Sequence, residues 1–277
     1  LARLEPWLAE QARPAAATQA LALRLMHRTG QHTEGLARAA GWEARHELGA
    51  EAMGVAALMA LDASEFELCK RWAEQALELS AGNSLEALVA RASTALAQLD
   101  APRARALLGH ALTLRPTEGR SWSAMGFCEL LEQHHGAALQ AFDHAVSLMP
   151  DHIGTWHGLG WAAIATGDLG RATAAFEAAL ALDRNFAESH GAMAVIHALS
   201  NHRDLAAQAI ELAMRLDRNN LSAHYAQAVL DGKAKDSAAV TTLARRLLQH
   251  RQIPFGASLS DGIELSGRRA VPTTTKE

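Results

Sequence analysis

Two stretches, written one above the other, decide the reading: "WSAMGFCELLEQHHGAALQAFDHAVSLMPD" at 122–151 and "WHGLGWAAIATGDLGRATAAFEAALALDRN" at 156–185. Trp122 and Trp156 stand 34 residues apart, and so do Gly126 and Gly160, Ala138 and Ala172, Phe142 and Phe176, and Ala145 and Ala179. Five coincidences in one order at one offset mark an internal repeat rather than chance. Small and apolar residues recur at three- and four-residue spacing, which predicts helices, and the polar turns "EQHHG" and "TGDLG" divide each stretch into two of them. Pro116 and Pro150 stop the second helix of a pair, as turn-forming Asn pairs do later in the chain. No segment alternates with the period of two expected of a strand.

The phase extends both ways. Downstream, Met193, Ala194, Ala206, Ile210 and Ala213 fall in register, with His190 where the Trp would stand. Upstream, Leu88, Ala92, Ala104, Leu108 and Ala111 do the same, and "WAEQALELSAGN" at 72–83 echoes the motif after a one-residue slip. The chain has 277 residues, 49% of them hydrophobic, enough for a substantial core. A formal charge of −4 gives no reason to expect nucleic acid, and no apolar run reaches the length of a membrane span. Cys69 and Cys128 fit no metal or redox spacing and are predicted to be small buried residues.

The order Trp122, Met125, Gly126, Ala138, Phe142, Ala145, Pro150, and again Trp156, Leu159, Gly160, Ala172, Phe176, Ala179, resembles the tetratricopeptide repeat. The resemblance implies an all-α, right-handed superhelical solenoid of helix-turn-helix repeats with terminal capping helices. Its expected layout is an N-terminal capping segment at 1–16, a repeat array at 17–250 and a non-repeat tail at 251–277. The best-matched units are 85–118, 119–152, 153–186 and 187–220; "SAAVTTLARRLLQH" at 237–250 is read as the last capping helix. In such an array each unit buries its apolar face only against its neighbours.

In this family the first helix of each pair lines a concave groove, the usual ligand surface. Carried over by position, the groove residues five places after the leading residue are Phe127, Trp161, Val195 and Val229. One place after it come Ser123, His157, Gly191 and Tyr225; eight places after it, Leu130, Ile164 and Ala198; two places before it, Arg120, Gly154, Glu188 and Ser222. Trp161 lies about 140° round the helix from Trp156, so Trp156 is expected in the core and Trp161 on the groove. Seam filling between adjacent first helices is the competing reading for Phe127 and Trp161, and core packing for Leu130 and Ile164. Family members that grip a chaperone's acidic tail place Lys, Arg and Asn at such positions, and this apolar wall departs from them. An amphipathic helix or extended apolar segment of a partner is the expected ligand.

No metal, cofactor or catalytic constellation is expected. "HELGA" at 46–50 lacks the second His of a zinc-protease helix, and the adjacent His134 and His135 point apart. His157 is the one histidine expected to offer a polar contact in the groove. The reading is a non-catalytic scaffold or adaptor for a protein partner, with bacterial origin suggested by the Ala- and Arg-rich composition. Its rivals are the docking part of a larger enzyme and a self-assembling scaffold. The expected compartment is the cytoplasm; a signal or anchor upstream of Leu1 would make it periplasmic or membrane-anchored.

Overall fold

The structure is a computed structural model that describes residues 15–233. Trp7, the expected capping segment before residue 15, the expected capping helix at 237–250 and the tail lie outside the described residues. Thirteen helices and no strand are present among the described residues. They are α1 (Ala16–Arg28), α2 (His32–Ala44), α3 (Ala50–Asp62), α4 (Phe66–Leu79), α5 (Leu85–Ala97), α6 (Ala101–Leu114), α7 (Gly119–Leu131), α8 (His135–Leu148), α9 (Ile153–Ala165), α10 (Leu169–Leu182), α11 (Ala187–Leu199), α12 (Arg203–Leu216) and α13 (Leu221–Leu230). The first helices of successive pairs start 34 residues apart, except that α5 starts 35 after α3. That exception is the one-residue slip seen in the sequence. The weakly spelled region before residue 85 therefore folds as the same helix pairs.

Each pair closes through a three-residue turn, and each turn holds one residue in the left-handed region: Gly30, Ser64, Leu99, Gln133, Gly167 and Asn201. The residue after it donates its N–H back across the helix end, as in His134 N to Glu129 O at 2.8 Å and Asp168 N to Ala163 O at 2.9 Å. That bond satisfies a carbonyl the helix end would leave open. Asp100 and Asp168 then cap the second helices through Arg103 N and Arg171 N. The leading position of the first helix has an equally regular task. Trp156 Nε1 donates to Pro150 O at 2.7 Å, and the His190 and His224 Nε2 atoms lie 2.8 and 3.1 Å from Arg184 O and Arg218 O. A carbonyl only accepts, so both histidines carry their proton on Nε2. Trp and His interchange in these three pairs because either ring supplies an N–H to that carbonyl.

The chain divides into two compact units, Leu1–Ser121 and Trp122–Glu277. In the first, Trp72, Leu23, Met26 and Met59 are fully buried within one continuous apolar cluster. In the second, the core runs through Phe142 and Phe176, both fully buried. A Cβ on Gly126 would stand 2.7 Å from the Phe142 ring, and one on Gly160 2.5 Å from Phe176. A Cβ on Gly158, in the next pair, would also run into the Phe142 ring, so that ring lies between two glycines. Gly126 and Gly160 are sites of close helix approach. Ala138, Ala145, Ala172 and Ala179 are fully buried, and Leu159 nearly so. Cys69 and Cys128 are buried and unpaired with each other, and burial pushes the Cys69 thiol up to about 11.

Candidate functional site

In the second unit the side chains five places after the leading residue stand on aromatic supports. Phe127 meets Phe142 edge-on, with centroids 5.0 Å apart and planes at 84°. Trp161 meets Phe176 in the same way at 5.7 Å and 72°. Phe127 keeps 40% of its surface exposed. Trp161 is half-buried, resting on its own pair and on the apolar cluster of α11 and α13 that contains Ala194 and Val195. Trp161 thus fills the seam and still presents part of its indole. Leu130, Ile164, Tyr225 and Val229 are half-buried beside these clusters, and burial pushes the Tyr225 hydroxyl upward.

Other expected groove residues are turned inward. Val195 is fully buried, because Trp161 covers it from one side and α13 packs on its helix from the other. Ala198 and Ser222 are buried as well, and so is Gly191, where a Cβ would meet Asn220 Oδ1 at 2.1 Å. The position one place after the leading residue belongs to a polar seam between successive first helices. Thr155 Oγ1 donates to Ser123 Oγ at 3.1 Å, and His157 Nε2 lies 2.7 Å from Ser189 Oγ. His157 is only 8% exposed, sits edge-on between Phe176 and Phe186 at 5.1 and 5.3 Å, and is pushed down to about 4 by burial. It therefore remains neutral at physiological pH and offers no groove contact. Trp156 also differs from expectation: it is half-buried, because its N–H must reach the Pro150 carbonyl. Trp122 is half-buried too, stacked on His144 at 4.7 Å.

Arg120 and Glu188, two places before the leading position, are anchored. Glu188 accepts from Asn220 Nδ2 at 2.8 Å and from the Ser222 hydroxyl. Arg120, which belongs to the first unit, grips Asp62 with both terminal nitrogens at 2.7 and 3.2 Å, and His27 Nε2 lies 2.6 Å from the same carboxylate. Burial pushes Asp62 up, but these hydrogen bonds and the Arg120 charge outweigh it and hold the carboxyl well below its usual range. Nothing in the local spelling of the sequence tied Arg120 to Asp62, 58 residues away. At the end of α7, Glu129, Glu132 and His134 bring ligand-type atoms within 4.8 Å of one another, a grouping the sequence reading passed over. His134 Nδ1 lies 3.0 Å from buried Glu129 and 3.7 Å from Glu132, an arrangement that closes the helix end.

Residues 129–196 match the family model described as Tetratricopeptide repeat. That match falls on the helix pairs whose motif residues pack as described above. Those residues are tetratricopeptide repeats. Solved structures agree on the fold at low identity. A chain of the APC/C hetero-tetramer Cut9-Hcn1 matches with a TM-score of 0.66 at 16% identity, over 90% of this chain and 49% of its own. PilF of Pseudomonas aeruginosa matches with a TM-score of 0.57 at 19% identity, over 79% and 97%. YrrB, a TPR protein with an unusual peptide-binding site, matches with a TM-score of 0.51 at 19%, over 65% and 92%. This chain spans about half the length of the Cut9-Hcn1 chain. No curated protein matches it. A solenoid of such repeats is in general a protein-interaction scaffold, and no helix among the described residues is long and apolar enough to cross a membrane.

Proposed function

We propose that the second unit is a non-catalytic docking module that holds an apolar segment of a partner protein on the face of its first helices. Phe127 and Trp161 are its anchors. The observation that carries this reading is their shared geometry: each stands edge-on against a buried phenylalanine one repeat apart, rigidly held yet still open to solvent. A preorganised aromatic loses little side-chain freedom on binding, which is why such residues dominate interfaces. Leu130, Ile164 and Tyr225 extend the apolar surface around them. The neighbouring YrrB, with its peptide-binding site, is in keeping with a peptide or helix as occupant.

The test compares proteins captured from source-cell lysate by wild type, Phe127→Ala and Trp161→Ala, each checked by circular dichroism. A partner held by wild type and lost by both variants is the expected result. Equal recovery by all three would make both side chains packing residues only.

A further inference from the structure

The turn between α7 and α8 is spelled differently from the turns one repeat before and after it. Those two place an alanine near the end of the first helix and an aspartate ahead of the second: Ala95 with Asp100, and Ala163 with Asp168. Both alanines are buried, and both aspartates cap the second helix through Arg103 N and Arg171 N. In the α7–α8 turn the same two positions hold Glu129 and His134, and the His134 side chain makes no capping bond to α8. Each replacement puts a metal-ligand type where its neighbours keep a residue suited to the turn, and the two replacements face each other. The backbone still ties this turn as it ties the others, from His134 N to Glu129 O at 2.8 Å. The side-chain grouping is therefore a property of this turn and not of the repeat.

Glu129 is only 7% exposed, a carboxylate at the depth where the neighbouring repeats bury a methyl group. Carboxylates so placed are paired or coordinate metals. Here Glu129 meets a third ligand type as well as His134. His134 Nδ1 lies 3.0 Å from Glu129 Oε2 and 3.7 Å from Glu132 Oε2, and the three donors fall within 4.8 Å of one another. In a tetrahedral zinc site, bonds of about 2.0–2.2 Å set neighbouring donors about 3.4 Å apart, between the two observed separations. Glu132 is half-buried and His134 is exposed, so a cation reaches the donors from solvent. Magnesium and calcium take all-oxygen sets, whereas an imidazole beside two carboxylates suits a transition-metal dication.

We propose that Glu129, Glu132 and His134 form a zinc-type metal site, in which one oxygen of each carboxylate and His134 Nδ1 bind a divalent transition-metal ion and water completes the tetrahedron. The ion replaces the direct contact between His134 and Glu129 and ties the last turn of α7 to the start of α8. The α11–α12 turn provides an internal comparison. It carries His197 and His202 at the same two positions, with ring centroids 6.3 Å apart, but Ser200 in place of Glu132. It offers two nitrogen donors without the carboxylates. The proposal uses neither Phe127 nor Trp161, so it fails separately from the docking reading.

The probe is cobalt(II), whose visible absorption reports tetrahedral coordination, titrated into the untagged full chain after chelator treatment. A saturable band at about one ion per chain is expected, removed by zinc(II) and unaffected by excess magnesium(II). Glu132→Gln and His134→Ala, each with an unchanged circular dichroism spectrum, should weaken cobalt binding at least about tenfold. His202→Ala should bind as wild type does. Zinc should raise the melting temperature of wild type and leave that of His134→Ala unchanged. No saturable band, displacement by magnesium, a band retained in Glu132→Gln or His134→Ala, or one lost in His202→Ala would each overturn the assignment.

Discussion

Trp161 stands against Phe176 as Phe127 stands against Phe142, 34 residues earlier in both members of the pair. One repeat relation therefore explains the second tryptophan of "WHGLGW". It packs on the second helix of its own pair, bridges to the next, and leaves an edge outside. The two anchors differ in how much the fold depends on them. Phe127→Ala, at a site 40% exposed, should cost about 1–2 kcal/mol, and Trp161→Ala about 2–4 kcal/mol. Urea unfolding of the two variants measures the difference.

Gly158 lies in the interior of α9, where alanine would ordinarily gain about 1 kcal/mol in helix propensity. Its Cβ would stand 2.3 Å from the buried Phe142 ring, so overpacking at about 1–3 kcal/mol should prevail. Gly158→Ala is expected to lower the melting temperature. Gly109→Ala is the control, because nothing lies within 4 Å of a Cβ at that point of α6, and it should raise it.

The intra-pair turns set a second backbone test. Gln133 occupies the left-handed conformation at φ 61°, where Gly167 stands one repeat later at φ 80°. A side chain there crowds its own carbonyl. Gln133→Gly should stabilise the protein by about 0.5–1 kcal/mol and Gly167→Ala should destabilise it by about as much. Thermal melts of both variants read the two signs.

His157 makes stability depend on pH. Its folded pKa is pushed down to about 4, whereas the unfolded imidazole titrates near 6.5, so the unfolded state takes up the proton first. The contribution is complete above about pH 6.5 and is lost as pH falls toward 4. Near pH 4.5 the loss amounts to roughly 2–3 kcal/mol. Urea midpoints at pH 7 and pH 4.5 should differ less in His157→Asn than in wild type. An equal pH dependence in both would show that His157 is not the source.

The sequence reading reached the helix pairs, their period and the slip before residue 85, because each follows from side-chain size at fixed spacing. Phe127 and Trp161 were legible as a repeated aromatic position for the same reason. The inward turn of Ser123, His157 and Val195 was not. Position along one helix fixes an angle but not whether the next first helix lies over it, and here that neighbour covers all three. His190 was read as a weak spelling of Trp, whereas both side chains supply an N–H to the carbonyl six residues back. Gln19, Met53 and Leu88 fill the leading positions of the first three pairs, so no tryptophan set the groove register there.

The central claim is that the exposed edge of the Phe127–Trp161 pair is a binding surface rather than leftover packing. The most direct measurement is lysate capture by Phe127→Ala, the variant that alters the open side chain with least cost to the fold. Loss of a partner that wild type retains, with the circular dichroism spectrum unchanged, is the predicted result. Retention of every wild-type partner by Phe127→Ala and by Trp161→Ala alike would contradict it.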